Sequence, residues 1–242
     1  MNQDAIPIRI DKQFCGPPDS GNGGYCCGVV ANALIGPVEV TLLSPPPLEQ
    51  NLLLQNDGDR AQLFDGATCI ARGVSAPLDL DVPAAPSWPE AQAAAENYAG
   101  FDKHIFPGCF VCGTGRPAED GMRIFAGPHG NRQIAAAPWR PDPALAADDG
   151  LVKPEFVWAA LDCPGYFGLL QPGLMALLGR LHAGIFQLPA AGSDCLVAGW
   201  RIGQDGRKFF AGTAIFNSEG EVLAKARAIW IQIDPARYAR GD

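Results

Sequence analysis

Histidine is scarce in this 242-residue chain, with only His104, His129 and His182 present. They lie in a linker-like stretch, a turn-like stretch and an apolar segment, so each reads as structural rather than catalytic. Basic residues are short as well: 18 Lys and Arg stand against 26 Asp and Glu, a formal charge of -8. That balance argues against nucleic acid or an anionic membrane as partner, because both are bound through cationic excess. No apolar run approaches about 18 residues, and the opening "MNQDAIPIRIDKQF" shows no basic region leading into an apolar one, which predicts a cytoplasmic, soluble protein. Gly-x-Ser-x-Gly is absent, so a Ser-His-Asp hydrolase is unsupported. A second Cys-x-x-Cys is absent too, leaving Cys109 and Cys112 as half a zinc site; the expectation is two buried thiols and no bound metal. With no secretory leader, all eight cysteines are expected as thiols rather than disulfides.

What is present is apolar residue enough, 48%, for a sizeable core, cut by frequent Gly and Pro. The stretch Gly21 to Gly28, "GNGGYCCG", opens the apolar segment Tyr25 to Leu34, which Gly36-Pro37 stops. Asp19 and Ser20 are capping types, so a buried helix of some three turns is expected here, apolar all round and therefore wrapped by something. The glycines form neither a phosphate loop, since no Gly-Lys-Ser/Thr follows, nor a dinucleotide fingerprint. What remains is a helix start with free N–H groups able to face an anion or a developing oxyanion, or a sharp turn into a packed helix.

Strand-like runs follow at "VEVTLLS", "LEQNLLLQN", "RAQLFDG" and "ATCIARGVSAPLDL", separated by turn signals. Composition then shifts to Pro and Ala in a linker, where Pro89 can begin a short helix. Beyond it the order recurs: strands at "GMRIFAG" and "RQIAAAPW", a helix in "KPEFVWAALDCPGYFGLL", then four strands with "QDG" and "NSEG" as hairpin turns. The chain thus reads as an α+β tandem repeat: an N-terminal unit at 1–85, a linker at 86–105, a C-terminal unit at 106–236 and a tail at 237–242.

The segment "CFVCGTGRPAEDGMRIF" resembles the opening of single-domain hotdog thioesterases, with Met122 where that group usually has Leu. "VWAALDCPGYFGLL" resembles the hotdog helix with an acidic residue halfway along, and "GRKFFAGTAIFNSEGEVLAKARAIW" its closing strands. "VEVTLLSPPPL" and "LFDGATCIA" are similar to the first module of tandem acyl-CoA thioesterase-like proteins. The resemblance implies a double hotdog, two long buried helices wrapped by one continuous curved antiparallel sheet. It further implies an acyl-CoA or related acyl thioester as ligand and no cofactor. A helix-start amide, from Gly23 or Gly24, would polarise the thioester carbonyl.

Asp162 is the sharpest residue: a carboxylate inside an otherwise apolar helix is costly unless paired or set in a cavity. It would act as base or nucleophile. Setting Gly24 against Pro154 places Asn32 against Asp162, eight residues on in both helices. The first unit then keeps the glycines but carries an amide; the second keeps the carboxylate but starts at a proline with no N–H. One composite site per chain is expected, from Gly23, Gly24 and Asp162, with Asn22, Tyr25, Asn32 and Tyr166 as substrate-binding candidates and Asn32 in a degenerate twin. The rival class is a non-catalytic acyl-thioester or small-lipid binder. A dehydratase is a lesser alternative, since no histidine stands near Asp162. A homodimer of the whole chain is the expected assembly.

Overall fold

A computed structural model describes residues 5–117, 119–130 and 133–234, so the tail expected at 237–242 lies outside the described residues. Strand β1 (Ile6–Ile8) and helix α1 (Gly23–Ala31) lead into β2 (Val38–Leu42), β3 (Leu52–Asp57), β4 (Arg60–Asp65) and β5 (Thr68–Ser75). Helix α2 (Trp88–Ala95) follows, then the two-residue β6 (Gly127–Pro128), β7 (Ile134–Trp139), and helices α3 (Pro154–Ala160) and α4 (Cys163–Gly168). Four long strands close the chain: β8 (Ala176–Ile185), β9 (Cys195–Asp205), β10 (Lys208–Phe216) and β11 (Val222–Gln232). Turn signals read in the sequence do their work here; Gly58 and Gly206 take positive φ, of 66° and 54°, closing β3 on β4 and β9 on β10.

All eleven strands join one open antiparallel sheet in the order β1-β3-β4-β5-β2-β8-β11-β10-β9-β7-β6. The two halves meet at β2 and β8, where Val38 to Thr41 pair with Ala183 to Arg180. That seam gives each half a neighbour where it would otherwise expose a strand edge. No helix among the described residues is long and apolar enough to cross a membrane.

Helix α1 is buried almost all round, as its composition requires, but it begins later than Asp19 and Ser20 suggested. Ser20 is still bridged to Pro47 and Asn22 N–H still donates to the Phe14 carbonyl, so the chain stays extended up to Asn22. Asn22 is the cap instead, its Oδ1 accepting Tyr25 N–H at 2.9 Å. The second helix is neither long nor continuous. Pro164 has no N–H for the carbonyl four residues back, and its ring crowds that turn. The helix therefore breaks at Leu161 and Asp162, the latter at φ -81° and ψ -84°, and restarts as α4.

Two further departures matter for the site. Of the stretch 121–127, expected as a strand, only Gly127 lies in one, β6, and the rest braces the turn before it: Met122 and Ile124 donate their N–H groups to the carbonyls of Phe110 and Val111. Within 86–105, α2 opens on a Ser87/Glu90 capping box and packs against the sheet. Ala91 and Ala94 of α2 cover Ile134, Leu196, Trp200 and Phe216 on the face opposite α4. Both faces of β9 from Cys195 to Trp200 and of β10 from Ala211 to Phe216 are thus covered, and these stretches read as nearly continuous apolar runs, whereas β3 and β4 alternate buried and exposed.

Candidate active site

The helices α1 and α3 lie against each other closely enough to exclude side chains from part of the contact. A Cβ on Gly28 would fall 2.6 Å from Glu155 Cα, and one on Gly24 would fall 2.6 Å from the Trp158 carbonyl and 2.5 Å from Asp162 Cβ. Gly24 meets residue 162 while Gly28 and Asn32 meet residue 155, so the helices run antiparallel. Gly23 faces elsewhere: its Cβ would meet Leu178 and Leu42 on the sheet.

The break at Pro164 leaves Asp162 as the residue preceding α4 without capping it, because its side chain turns toward α1. There Oδ2 accepts two hydrogen bonds from the other half of the molecule, from Gly24 N–H at 2.9 Å and Asn22 Nδ2 at 2.8 Å. Oδ1 has no hydrogen-bond partner among the described residues. Asp162 is 2% exposed. Burial drives its pKa from the ordinary 3.8 up to about 7, the two hydrogen bonds pull against that rise, and charge on Cys109 adds to it. A carboxyl group with a raised pKa, one oxygen pinned and the other buried but unpartnered, can take a proton from a water that reaches it without first being freed from a partner.

The other end of the α1–α3 contact holds an amide–carboxylate pair. Asn32, exposed at the end of α1, donates from Nδ2 to Glu155 Oε2 at 2.9 Å. Between this pair and β1 lies a cavity of about 410 Å³, lined by Ile6, Ile8, Tyr25, Val29, Asn32 and Glu155 among others. Tyr25 is buried, stacked on Phe14 with ring centroids 4.4 Å apart. Tyr166 is half-buried on α4, its hydroxyl donating to the Leu174 carbonyl and its ring against Phe167 and Trp230. Of the candidates named from the sequence, then, Asn22, Gly24 and Asp162 meet directly; Tyr25 and Asn32 line the cavity beside β1; Gly23 turns to the sheet, and Tyr166 is committed to its own end of α4.

Other residues near the break were not singled out beforehand. Thr213 Oγ1 and Trp230 Nε1 are buried without partners among the described residues, and both approach Gly165, where a Cβ would fall 2.8 Å and 3.5 Å from them. No sequence signal marks them, since Thr and Trp are ordinary strand residues. Cys163, by contrast, joins Cys109 and Cys112: the three Sγ atoms lie within 4.8 Å of one another. Hydrogen bonds from the other two thiols hold Cys109 well below the ordinary thiol range, while burial and the neighbouring thiols push Cys112 and Cys163 up. All eight cysteines are free.

An open antiparallel sheet built from two halves joined at one seam, carrying two antiparallel helices on its inner face, is the double hotdog fold. No protein-family model and no curated protein matches the sequence. Solved structures do match, and their likeness is one of fold. The tesB protein of Mycobacterium avium subspecies paratuberculosis aligns at a TM-score of 0.63 and 12% identity, over 97% of this chain and 95% of that one. The acyl-CoA thioesterase II TesB2 from Mycobacterium marinum aligns at 0.59 and 13%, over 97% and 95%. A conserved protein of unknown function with hot dog fold from Alicyclobacillus acidocaldarius aligns at 0.61 and 10%, over 96% and 94%.

Proposed function

We propose that the chain hydrolyses an acyl thioester, of acyl-CoA type, at one composite site between α1 and α4. The observation that carries this reading is the Asp162 carboxylate, buried at the junction of the two halves, with Oδ2 held by Gly24 and Asn22 and Oδ1 buried without a partner among the described residues. Oδ1 takes a proton from water as its oxygen attacks the thioester carbonyl carbon. Negative charge then develops on the carbonyl oxygen, which accepts a hydrogen bond from an N–H at the start of α1, that of Gly23 or that of Gly24 once its bond to Asp162 loosens. Collapse expels the thiolate, which takes from Asp162 the proton that came from water, leaving a carboxylic acid and a thiol. In the direct variant Asp162 attacks the carbonyl itself and water cleaves the resulting anhydride. No step calls on a metal or redox group.

A second reading, a binder of acyl thioesters or small lipids without turnover, is favoured by one feature. The 410 Å³ cavity sits at the Asn32 and Glu155 end, whereas Asp162 is sealed. A panel of acyl-CoA substrates of increasing chain length, with release of free thiol as the readout, separates the two. Turnover that Asp162→Asn abolishes supports hydrolysis; saturable binding of acyl-CoA with no thiol released supports the binder.

A further inference from the structure

The three thiols at the α4 start form a cluster that the proposed chemistry leaves unused. Cys109 and Cys112 come from a tight turn: Gly113 N–H donates to the Cys109 carbonyl at 2.9 Å, and a Cβ on Gly113 would fall 2.4 Å from the Pro107 carbonyl and 2.5 Å from that of Cys109. The loop can curl this tightly only with glycine there, and curling carries both thiols to its inner side. It is braced from outside by Phe110 N–H donating to the Cys15 carbonyl and by the bonds from Met122 and Ile124 already described. Cys163 arrives from the first turn of α4, and its Sγ lies 3.7 Å from that of Cys109. All three residues are at most 8% exposed.

The spacing discriminates between packing and ligation. Zinc–thiolate bonds of about 2.3 Å in a tetrahedron set sulfur atoms about 3.8 Å apart. The Cys109 to Cys163 distance already equals that edge, and no pair of the three exceeds 4.8 Å. Buried thiols that merely fill space need not converge; among the described residues this is the only group of three His, Cys, Asp or Glu side chains so arranged. Three sulfur donors select thiophilic ions, and zinc is the borderline-soft divalent ion that accepts a tetrahedral thiolate set. His104 is close to the turn but does not supply a fourth ligand in this arrangement. Its Nδ1 accepts Phe106 N–H at 2.9 Å, which leaves the proton on Nε2.

We propose that Cys109, Cys112 and Cys163 form a site for one Zn²⁺ ion, held by three thiolates with the fourth position filled by an exogenous ligand. Binding displaces the thiol protons to solvent and ties the 109–113 turn to α4, the helix whose start positions Asp162. The sequence alone pointed the other way, because it showed Cys109 and Cys112 as half a site; the fold supplies the third ligand from 51 residues beyond Cys112, counting 163 minus 112.

The test uses the full chain, purified reduced, stripped of metal and titrated with Co²⁺ and then Zn²⁺. Thiolate-to-cobalt charge-transfer absorption saturating at one equivalent and bleached by Zn²⁺ is expected. Cys163→Ser should weaken binding by about 100-fold or more, the loss of a direct ligand exceeding that of an outer partner, while Cys69→Ser, remote on β5, should bind as wild type. Should Cys163→Ser fail to fold, alkylation of the wild-type chain replaces it: Zn²⁺ should protect Cys109, Cys112 and Cys163 together. A reduced chain that binds no Co²⁺ or Zn²⁺, a Cys163→Ser variant that binds like wild type, or protection that omits Cys163 would overturn the site. So would a Cys109–Cys112 disulfide in chain freshly isolated without metal.

Discussion

Gly24→Ala tests the helix contact that assembles the candidate site. The added Cβ would stand 2.6 Å from the Trp158 carbonyl and 2.5 Å from Asp162 Cβ, where ordinary contact begins near 3.4 Å. One of these neighbours is backbone, so α1 and α3 must separate by roughly 0.8 Å rather than rotate a side chain aside. That shift carries the Gly24 N–H from 2.9 Å to about 3.7 Å from Asp162 Oδ2, outside hydrogen-bond range. Overpacking costs about 1 to 3 kcal/mol, and the lost bond to a charged acceptor about 1.5 to 3 kcal/mol. Better helix propensity returns about 1 kcal/mol. The net, about 1.5 to 5 kcal/mol, corresponds to a fall in melting temperature of roughly 3 to 20 °C in a chain of this size. Gly23→Ala is the control, because its Cβ meets the movable Leu178 side chain at 2.9 Å and should cost about 1 kcal/mol or less. Urea titration and thermal melts of both variants give the comparison. If Gly24→Ala melted with the wild type, or Gly23→Ala were equally damaging, the packed-glycine account of α1 and α3 would be wrong.

Asp162→Asn should stabilise the chain at alkaline pH even as it removes the acid. The folded-state pKa, about 7, lies above the ordinary 3.8, so stability is full below pH 4 and declines as pH rises towards 7. That displacement is worth about 4 kcal/mol, so the variant should exceed the wild type by up to that much at pH 8, by about 2 kcal/mol at pH 5, and by little at pH 3.5. A constant difference across that range, measured by urea titration, would contradict the buried-charge argument. Asn32→Ala, at an exposed position, should change stability by about 0.5 kcal/mol or less and leave thiol release within about twofold; a loss matching that of Asp162→Asn would move the site to the Glu155 end. Ser87→Ala should cost about 1 kcal/mol through loss of the α2 cap, and a cost near zero in urea titration would show that α2 contributes little to covering β7 and β9.

The order of elements was legible because periodicity and turn residues are local properties: the hairpin signal "QDG" ends β9 before β10, and "NSEG" falls between β10 and β11. Asp162 stood out because an acid in an apolar stretch breaks that local pattern. The meeting of Gly24 with Asp162 followed only once the two helices were set against each other. What stayed hidden depends on the third dimension. Asn22 displaced Asp19 and Ser20 as cap because strand-like contacts of Ser20 and Asn22 hold the chain extended to that point. Pro164 was visible, yet a proline four residues past a carbonyl can kink a helix or end it, and packing of Asp162 on Gly24 accompanies the break. Cys163 could not be paired with Cys109 from spacing, since 54 residues separate them. Nor does composition tell that α2 covers a sheet face, because an Ala-rich helix in a Pro-rich stretch reads equally as a connector.

The most direct test of the central claim is thiol release from a chain-length series of acyl-CoA thioesters by the wild-type chain and by Asp162→Asn, each shown to be folded. The account predicts turnover by the wild type and a loss of about 100-fold or more in the variant, in keeping with removal of a general base. Full activity in Asp162→Asn, or no thiol released from any member of the series by the wild type, would contradict it.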